Sequence, residues 1–292
     1  MARSLLFGAR QGVLILMAAL AYFGVRGLTE GNPATAHGNA SRLLELERRL
    51  NIDVELAVQQ LIAESEALLT MANWIYIWGH WPVVIATLVW LAAHDRENFY
   101  VLRNAMFISG AIGLVIFAGW AVTPPRLYAG DYMDTVTIRS VSYRLLQPPA
   151  LINKYAAVPS LHFGWNLLVG VIWAKATTNP IVRAAAVAMP VAMAFAVVAT
   201  ANHWVADVFV GGAVATAGLL VQPYVRRWFV PATIIAVALA LFSATTRRPR
   251  SHGQRNEQKE ERPTKRTLNT VSARAGGDES QGERTQRWGA AR

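Results

Sequence analysis

The chain has 292 residues, of which 53% are hydrophobic and only 16% are charged, and its formal net charge is +10. It is too apolar, and too clearly divided into apolar segments, to be an ordinary soluble domain. Cysteine is absent, which excludes disulfide bonds, a thiolate nucleophile and a thiolate metal site. The composition therefore predicts an all-α integral membrane protein.

Seven uninterrupted apolar runs follow one another along the chain. Each has about 17 to 22 residues, long enough for a helix to cross a hydrocarbon layer of about 30 Å. The first six predict a six-helix transmembrane bundle. The seventh, the shortest, predicts an additional C-terminal hydrophobic helix that either spans the membrane, is re-entrant or lies at its surface. The runs lie approximately at residues 11–28, 72–93, 104–122, 160–176, 182–201, 204–222 and 228–244.

The basic residues of the short loops predict the orientation of the chain. They favour a multi-pass protein of the plasma (inner) membrane with its amino terminus in the cytoplasm. The first run has a second interpretation, a signal peptide with a cleavage site near residues 34–36, but cleavage would leave the bundle one helix short. The basic loop residues are Arg3, Arg10, Arg96, Arg103, Lys175, Arg183, Arg226 and Arg227.

Two segments lie outside the apolar runs. Residues 41–69 carry apolar side chains at spacings of three and four, which predicts an amphipathic helical segment, broken near residues 51–53. It is expected to lie at the outer membrane surface or, alternatively, to cap a site beneath it. The apolar positions are Leu43, Leu46, Leu50, Val54, Ala57 and Leu61.

The carboxyl-terminal segment has a different composition from the rest of the chain. Residues 245–292 hold 12 of the 28 Lys and Arg residues and almost no aliphatic side chains. Such a segment cannot bury enough apolar surface to fold, so it predicts a disordered basic tail rather than a nucleic-acid-binding arm. The predicted organisation is therefore a membrane domain over residues 1–244 and a tail over residues 245–292.

Three polar motifs stand at helix ends on the predicted outer side of the membrane. They are TPPRL at residues 123–127, VPSLHFGW at residues 158–165 and TANHWVAD at residues 200–207. Ionisable groups near hydrocarbon are costly and usually mark function. Although they are far apart in sequence, the three motifs are expected to meet in one extracytoplasmic pocket.

His203 and Asp207 are four residues apart and so share one face of a helix. The carboxylate can accept a hydrogen bond from one imidazole nitrogen and leave the other as a nucleophile or base. Alternatively, the pair is a buried contact that ties the sixth helix to the bundle.

Ser160 is predicted to be the N-cap of the fourth helix, where free backbone amides and the helix dipole form an anion site. His162 then lies beside that site as a second histidine. The alternative is a plain capped helix with His162 at the membrane interface.

Arg126 offers a planar donor fork suited to phosphate, although a snorkelling interfacial arginine is the alternative. With two histidines and an anion site, it completes the parts needed for metal-independent phosphoryl transfer through a phosphohistidine. In the second run, Asn73, Tyr76 and His80 share a face that is either a polar wall for a headgroup or part of an aromatic interfacial belt. Asn73 and His80 are therefore candidate substrate-binding residues.

These motifs together resemble the type 2 phosphatidic acid phosphatase superfamily, which also includes vanadium-dependent haloperoxidases. The resemblance is based on PSLH before a helix, HxxxD about 40 residues later and an upstream PPR element. The variant with Leu161, where most members have glycine, looks more like the branch of inositol phosphorylceramide synthase. The resemblance covers residues 11 to about 222 and implies a six-helix bundle.

The resemblance also implies roles for individual residues. The phosphorus nucleophile would be His203, its orienting carboxylate Asp207 and the acid for the leaving oxygen His162. The phosphate ligands would include Arg126, Ser160 and the amides near it. One departure is that the superfamily's arginine six residues before the nucleophile is Val197 here; Lys154 and Arg144 are candidate replacements.

The predicted function is therefore that of a lipid phosphoester phosphatase, if water is the acceptor, or of an inositolphosphotransferase-like enzyme, if a hydroxyl is the acceptor. The expected partners are an outer-leaflet lipid phosphoester and membrane lipids, with no nucleic acid, no metal and no cofactor. Two alternatives remain open. Histidines on membrane helices can ligate haem in an electron carrier, and Ser160 with His203 can suggest an intramembrane serine protease.

Overall fold

The computed structural model describes residues 2–139 and 152–225. Within these two stretches the chain is helical and its one β pairing is an isolated bridge between Val122 and Ala156. The helices are α1 (Ala2–Leu28), α2 (Pro33–Leu50), α3 (Glu55–Ala63), α4 (Glu66–Trp78), α5 (Trp81–His94), α6 (Arg96–Gly119), α7 (Pro125–Tyr128), α8 (Thr135–Arg139), α9 (Leu161–Ala176), α10 (Pro180–Ala199) and α11 (Val205–Val221), followed by a 3₁₀ turn at Gln222–Tyr224.

The described residues confirm the all-α prediction, and their long apolar helices are typical of a membrane protein. Four segments of the described chain are long and apolar enough to cross a bilayer, and there are five if the bent pair of helices α4 and α5 counts as one span. The predicted count of six is not reached, because α9 has 16 residues and so rises only ~24 Å. The four single segments are Leu6–Leu28, Arg96–Gly119, Pro180–Ala199 and Val205–Tyr224.

The predicted single helix over residues 72–93 is wrong. It is two helices that meet at Gly79 and His80 with a bend of 42°. Pro82 is the second residue of α5 and has no backbone N–H to donate to the turn before it, so one continuous helix cannot form there. The bend leaves His80 in the interior, with only 2% of its surface exposed.

The start of α6 also differs from the prediction. Asp95 caps it by accepting a hydrogen bond from Asn98 N at 3.1 Å, so the helix begins before the predicted run at residue 104. Arg103, predicted to lie in a cytoplasmic loop, is therefore inside α6 and buried. Its guanidinium lies 4.8 Å from the ring of Tyr100 and donates to Asn104 Oδ1 at 2.7 Å. A buried arginine needs such partners.

Helices α9 and α11 approach each other closely at their amino-terminal ends. A Cβ added to Gly164 would stand 2.6 Å from the carbonyl oxygen of Gly211, and one added to Gly211 would collide with the backbone of Ser160. Only glycine permits this approach of two backbones. The contact fixes the PSLH motif, at the start of α9, against the first turns of α11.

The segment before α4 forms α2 and α3, and it breaks where predicted, at Asn51, whose φ of 53° is left-handed. Of the predicted apolar positions, Leu46 and Leu50 of α2 and Leu61 of α3 are exposed, whereas Leu43 is buried. The buried face of α2 carries apolar residues, one asparagine and one acid, and its apolar part packs on residues in or next to the polar motifs. The buried residues of α2 are Ala36, Asn39, Ala40, Leu43, Leu44 and Glu47. Ala40, Leu43 and Leu44 form one core cluster with Val122, Ala157, Val158 and Trp204.

The predicted seventh run at residues 228–244 and the predicted tail at residues 245–292 lie outside the described residues, as do Arg144, Arg226 and Arg227.

Candidate active site

Backbone hydrogen bonds bring the three polar motifs together. Arg126 N, from the first motif, donates to the carbonyl of Ala201 in the third at 2.9 Å. Ser160 N, from the second motif, donates to the carbonyl of Asp207 at 3.0 Å. The indole of Trp204 then donates to Thr123 O at 2.9 Å and links the third motif back to the first. The three motifs, which are far apart in sequence, therefore meet in the structure.

His203 is held by one ring nitrogen. Its Nδ1 lies 2.8 Å from the carbonyl oxygen of Ala157 and 3.2 Å from Asp207 Oδ2. Both partners are acceptors, so we assign the proton to Nδ1, which leaves Nε2 with a free lone pair. Asp207 is completely buried and its Oδ2 also accepts a hydrogen bond from Trp204 N at 2.9 Å. Both the ring orientation and the tautomer are fixed before any substrate binds.

Ser160 is the N-cap of α9, as predicted, but its hydroxyl makes no capping hydrogen bond. Its Oγ is buried and has no hydrogen-bond partner, so no Ser160–His203 pair of the serine-protease type is formed. The first amides of a helix have no acceptor within the helix. The start of α9 is thus a place where amides and the positive end of a helix dipole are available to an anion.

His162 lies in the first turn of α9 between the other aromatic groups of the site. Its ring centroid is 4.6 Å from that of Tyr76, on which it stacks, and 4.3 Å from that of His80. The His203 centroid is 6.1 Å away. The two predicted catalytic histidines are therefore close to each other, with their ring planes tilted by 53° rather than stacked.

Asn166 is a buried site residue that the sequence analysis missed. Its Nδ2 donates to the carbonyl of His162 at 2.8 Å and lies 3.1 Å from His80 Nδ1. Because an amide nitrogen only donates, His80 Nδ1 accepts and its proton belongs on Nε2. The signal was available in the sequence, since a polar residue four positions after His162 inside an apolar run is rare and shares its face.

Arg126 reaches the site with its guanidinium already engaged. Its Nε donates to Asn202 Oδ1 at 2.9 Å and its Nη1 to Asp134 Oδ2 at 3.1 Å. The arginine side chain is only 13% exposed. Since Asn202 immediately precedes His203, the arginine is held one residue away from that histidine, with Asp134 as its anionic partner.

The remaining predicted substrate-binding residues have other contacts. Asn73 is buried and exchanges hydrogen bonds with Thr135, at 3.0 Å and 3.4 Å, which tie α4 to α8 rather than to either histidine. Lys154 is exposed, and its backbone N donates to Glu30 Oε1 at 3.3 Å. Val197, at the departure from the superfamily pattern, is completely buried, and its carbonyl accepts the amide of His203 at 3.1 Å.

Two glutamates of α2 and α3 are the other residues that sequence reasoning missed. Glu47 Oε1 accepts from Ala206 N and Glu55 Oε1 accepts from Val205 N, each at 2.7 Å. Burial raises the pKa of Glu47 to about 8 and also raises the pKa of Glu55 above its ordinary value. Both acids lie among exposed charges in the sequence, so nothing in the pattern distinguished them.

A family model described as the PAP2 superfamily matches residues 41–221, which is more than half of the chain. The match includes all three polar motifs and both missed glutamates, and α1 lies before it. The comparisons with curated proteins and with solved structures gave no significant match.

Proposed function

The chain belongs to the PAP2 superfamily, and on this premise we propose that it is a membrane-embedded, metal-independent lipid phosphoester phosphatase or phosphotransferase that acts through a phosphohistidine. The superfamily points to phosphoester chemistry in general. The observation that supports the specific mechanism is the double anchoring of His203 Nδ1 by Ala157 O and Asp207, which directs Nε2 to act as the nucleophile.

In the first step of this mechanism, the Nε2 lone pair of His203 attacks phosphorus, so an N–P bond forms while the P–O bond to the lipid alkoxide breaks. His162 gives its proton to the departing oxygen and becomes neutral. The imidazolium that develops on His203 is stabilised by Asp207. The charge on the phosphoryl oxygens is stabilised by the first backbone amides of α9 and by the guanidinium of Arg126.

In the second step, His162 acts as the base. It takes the proton of water or of an alcohol, whose oxygen attacks phosphorus while the N–P bond of the phosphohistidine breaks. Water gives a phosphatase and an alcohol gives a phosphotransferase, and the same two histidines serve both reactions. The inositolphosphotransferase-like specificity is part of the proposal and rests on the PSLHFGW and NHWVAD variants of the motifs.

Arg126 is the proposed phosphate ligand, and Asp134 is its partner while the site is empty. Two oxygens of a phosphate fit the guanidinium fork as the two oxygens of a carboxylate do, so the substrate would replace Asp134 on the arginine. Asn202 keeps its bond to Nε in both states. Ser160, His80 and Asn73 are proposed to shape the site for the headgroup, and Lys154 to attract the phosphate at its entrance.

The proposed setting is a six-helix bundle in the plasma (inner) membrane, in which the short α9 counts as the sixth span. The three motifs would then face the extracytoplasmic side at headgroup depth, in agreement with the basic residues of the short loops. A lipid phosphoester of the outer leaflet would reach the histidines without leaving the membrane surface.

The proposal is tested with purified protein in lipid nanodiscs and phosphorus-labelled lipid phosphoesters. Wild type is compared with His203→Ala and His162→Ala, and with His94→Ala, which removes an exposed histidine at the end of α5. We expect losses of about a thousandfold or more for the first two variants and no change for the third. Labelled phosphohistidine should be trapped in wild type after acid-free quenching.

Adding inositol or other alcohols to the same assay distinguishes the two reactions. A labelled alcohol phosphate identifies a phosphotransferase, and inorganic phosphate alone identifies a phosphatase. Equal turnover in wild type and His203→Ala would refute the phosphohistidine mechanism.

A further inference from the structure

Three carboxyl groups from three different helices converge on the first turn of α11, directly after His203. Each accepts a hydrogen bond from one of three consecutive backbone amides. The pairs are Trp204 N with Asp207 Oδ2 at 2.9 Å, Val205 N with Glu55 Oε1 at 2.7 Å, and Ala206 N with Glu47 Oε1 at 2.7 Å. We call Glu47, Glu55 and Asp207 the carboxyl cap.

The carboxyl cap is isolated from solvent. Glu47 and Asp207 are completely buried and Glu55 is 1% exposed. The second oxygen of each group, Glu47 Oε2, Glu55 Oε2 and Asp207 Oδ1, is buried and accepts no hydrogen bond from an N–H or O–H of the residues that the structure describes. Glu55 Oε1 and Glu47 Oε1 are held by the adjacent amides of Val205 and Ala206, so the two buried carboxyl groups lie side by side.

The groups that face the glutamates offer little compensation for negative charge. Asp207 faces them from α11 and repels an anion. Of the three carboxyl groups, the one that His203 contacts is Asp207. From the loop before α8, Tyr132 packs on Trp204 at 5.9 Å, and burial together with both glutamates raises its pKa to about 12. Arg48, which follows Glu47 in the chain, is exposed and paired with Asp53 at 3.8 Å.

Electrostatics limits how many of these groups can be ionised. The amino terminus of a helix carries the equivalent of about half a positive charge, which cannot balance three buried anions. Two carboxyl groups that touch in a buried place do not both ionise, because a hydrogen bond between them needs a proton on one. Burial accordingly raises the pKa of both glutamates, that of Glu47 to about 8.

We infer that Glu47 and Glu55 share one proton and act as positioning residues for His203. This inference rests on the proposed function for its catalytic meaning. While the proton is present, the pair holds the first turn of α11 and therefore the histidine and Asp207 in place. When the proton is lost, two adjacent anions beside Asp207 repel each other and the turn loosens.

The first experiment needs no activity and so separates this inference from the proposed function. Hydrogen exchange of the peptide that contains residues 204–206 is measured at matched pH values from 6 to 9.5 in wild type and in Glu47→Gln. The glutamine keeps an oxygen for Ala206 N but cannot ionise. After correction for intrinsic exchange, we expect protection in wild type to fall about tenfold above pH 8 and to stay constant in Glu47→Gln.

The unfolding free energy should also depend on this proton, and therefore on pH. In the folded protein the raised pKa of Glu47 lets it keep a proton that the unfolded chain releases near the ordinary pKa of 4.5. Stability should therefore decrease as the pH rises from about 4.5 to about 8, and Glu47→Gln should lose part of this slope. Glu45→Gln, which changes an exposed acid on the same helix, should retain the wild-type slope.

The second experiment measures phosphoester turnover against pH. We expect wild-type kcat to fall above about pH 8, and we expect this fall to move upward or disappear in Glu47→Gln and Glu55→Gln, with Glu45→Gln as the matched control. Glu47→Ala, which removes the acceptor, should lose about tenfold at every pH. Because kcat is normalised to the folded enzyme present at each pH, a change in stability alone would not produce this pattern, and the pattern therefore identifies a positioning role.

Identical exchange and stability profiles in wild type and Glu47→Gln would overturn the inference whatever the activity. A profile that responds to added or chelated divalent cations, and not to Glu47→Gln, would overturn it as well. If the exchange profiles differ as expected and no phosphoester is turned over, the shared proton is supported and the proposed function fails.

Discussion

Two helices begin within a few residues of the histidines, and their amino termini are treated in opposite ways. At α9, the Ser160 hydroxyl makes no capping bond and the first amides stay available. At α11, three consecutive amides are occupied by buried carboxyl groups. A helix amino terminus attracts any anion. The protein's own carboxyl groups occupy the amino terminus of α11, whereas the amino terminus of α9 is the proposed anion site.

The largest effect is expected from Asp207→Asn, which changes the occupied amino terminus of α11 next to His203, the proposed nucleophile. An amide in place of the carboxylate can donate to His203 Nδ1 and favour the wrong tautomer, so we expect kcat to fall about 10³-fold to 10⁴-fold. Phosphoester turnover with matched folding by size-exclusion chromatography measures it. Activity within threefold of wild type would show that the carboxylate does not orient His203.

Gly211→Ala should separate the two termini physically. Its Cβ would collide with the Ser160 backbone, so helices α9 and α11 must move apart. We expect a loss of about 2 to 4 kcal/mol in unfolding free energy and a fall in kcat beyond what unfolding explains. Gly38→Ala, with no atom near its added Cβ, is the matched control. Equal thermal midpoints for both variants would contradict the close packing.

Ser160→Asp should convert the open terminus into an occupied one. A carboxylate at the N-cap satisfies the α9 amides and repels phosphate, so we expect KM for a phosphoester to rise about tenfold to a hundredfold. Ser160→Ala is the control, since a hydroxyl without hydrogen bonds contributes little. Competition by inorganic phosphate or vanadate measures the site directly. If Ser160→Asp bound these anions as tightly as Ser160→Ala, the α9 amides would not be the anion site.

Asp134→Asn is expected to give the smallest effect, and with the opposite sign. It removes the anion that occupies Arg126 while keeping an oxygen for the guanidinium. The substrate then has a weaker competitor, so KM should fall about twofold to fivefold. Glu64→Gln, which removes the charge of an exposed acid directly after α3, controls for general charge. A higher KM in Asp134→Asn would show that the carboxylate helps to position the arginine instead.

The sequence predicted most of the apolar helices and the pairing of His203 with Asp207. The reason is physical. Apolar runs longer than a bilayer leave few folds to consider, and a spacing of four places His203 and Asp207 on one face. It failed at 72–93 because Pro82 breaks a run that hydropathy treats as continuous. At residues 41–69 periodicity predicted the helical segment and its break near Asn51. It did not identify the face that packs on the protein, because an apolar side chain at a membrane surface is stable facing lipid or protein.

The sequence by itself determined the kind of molecule and the residue types of its chemistry, since both follow from composition and from spacings of a few residues. Only the tertiary structure decided which distant groups meet: the backbone of Ala157 with His203, Asn166 with His80, and Glu47 with Ala206. Those contacts join parts of the chain separated by up to 159 positions. No local pattern encodes them, because they depend on how closely the glycines of α9 and α11 let the helices pack.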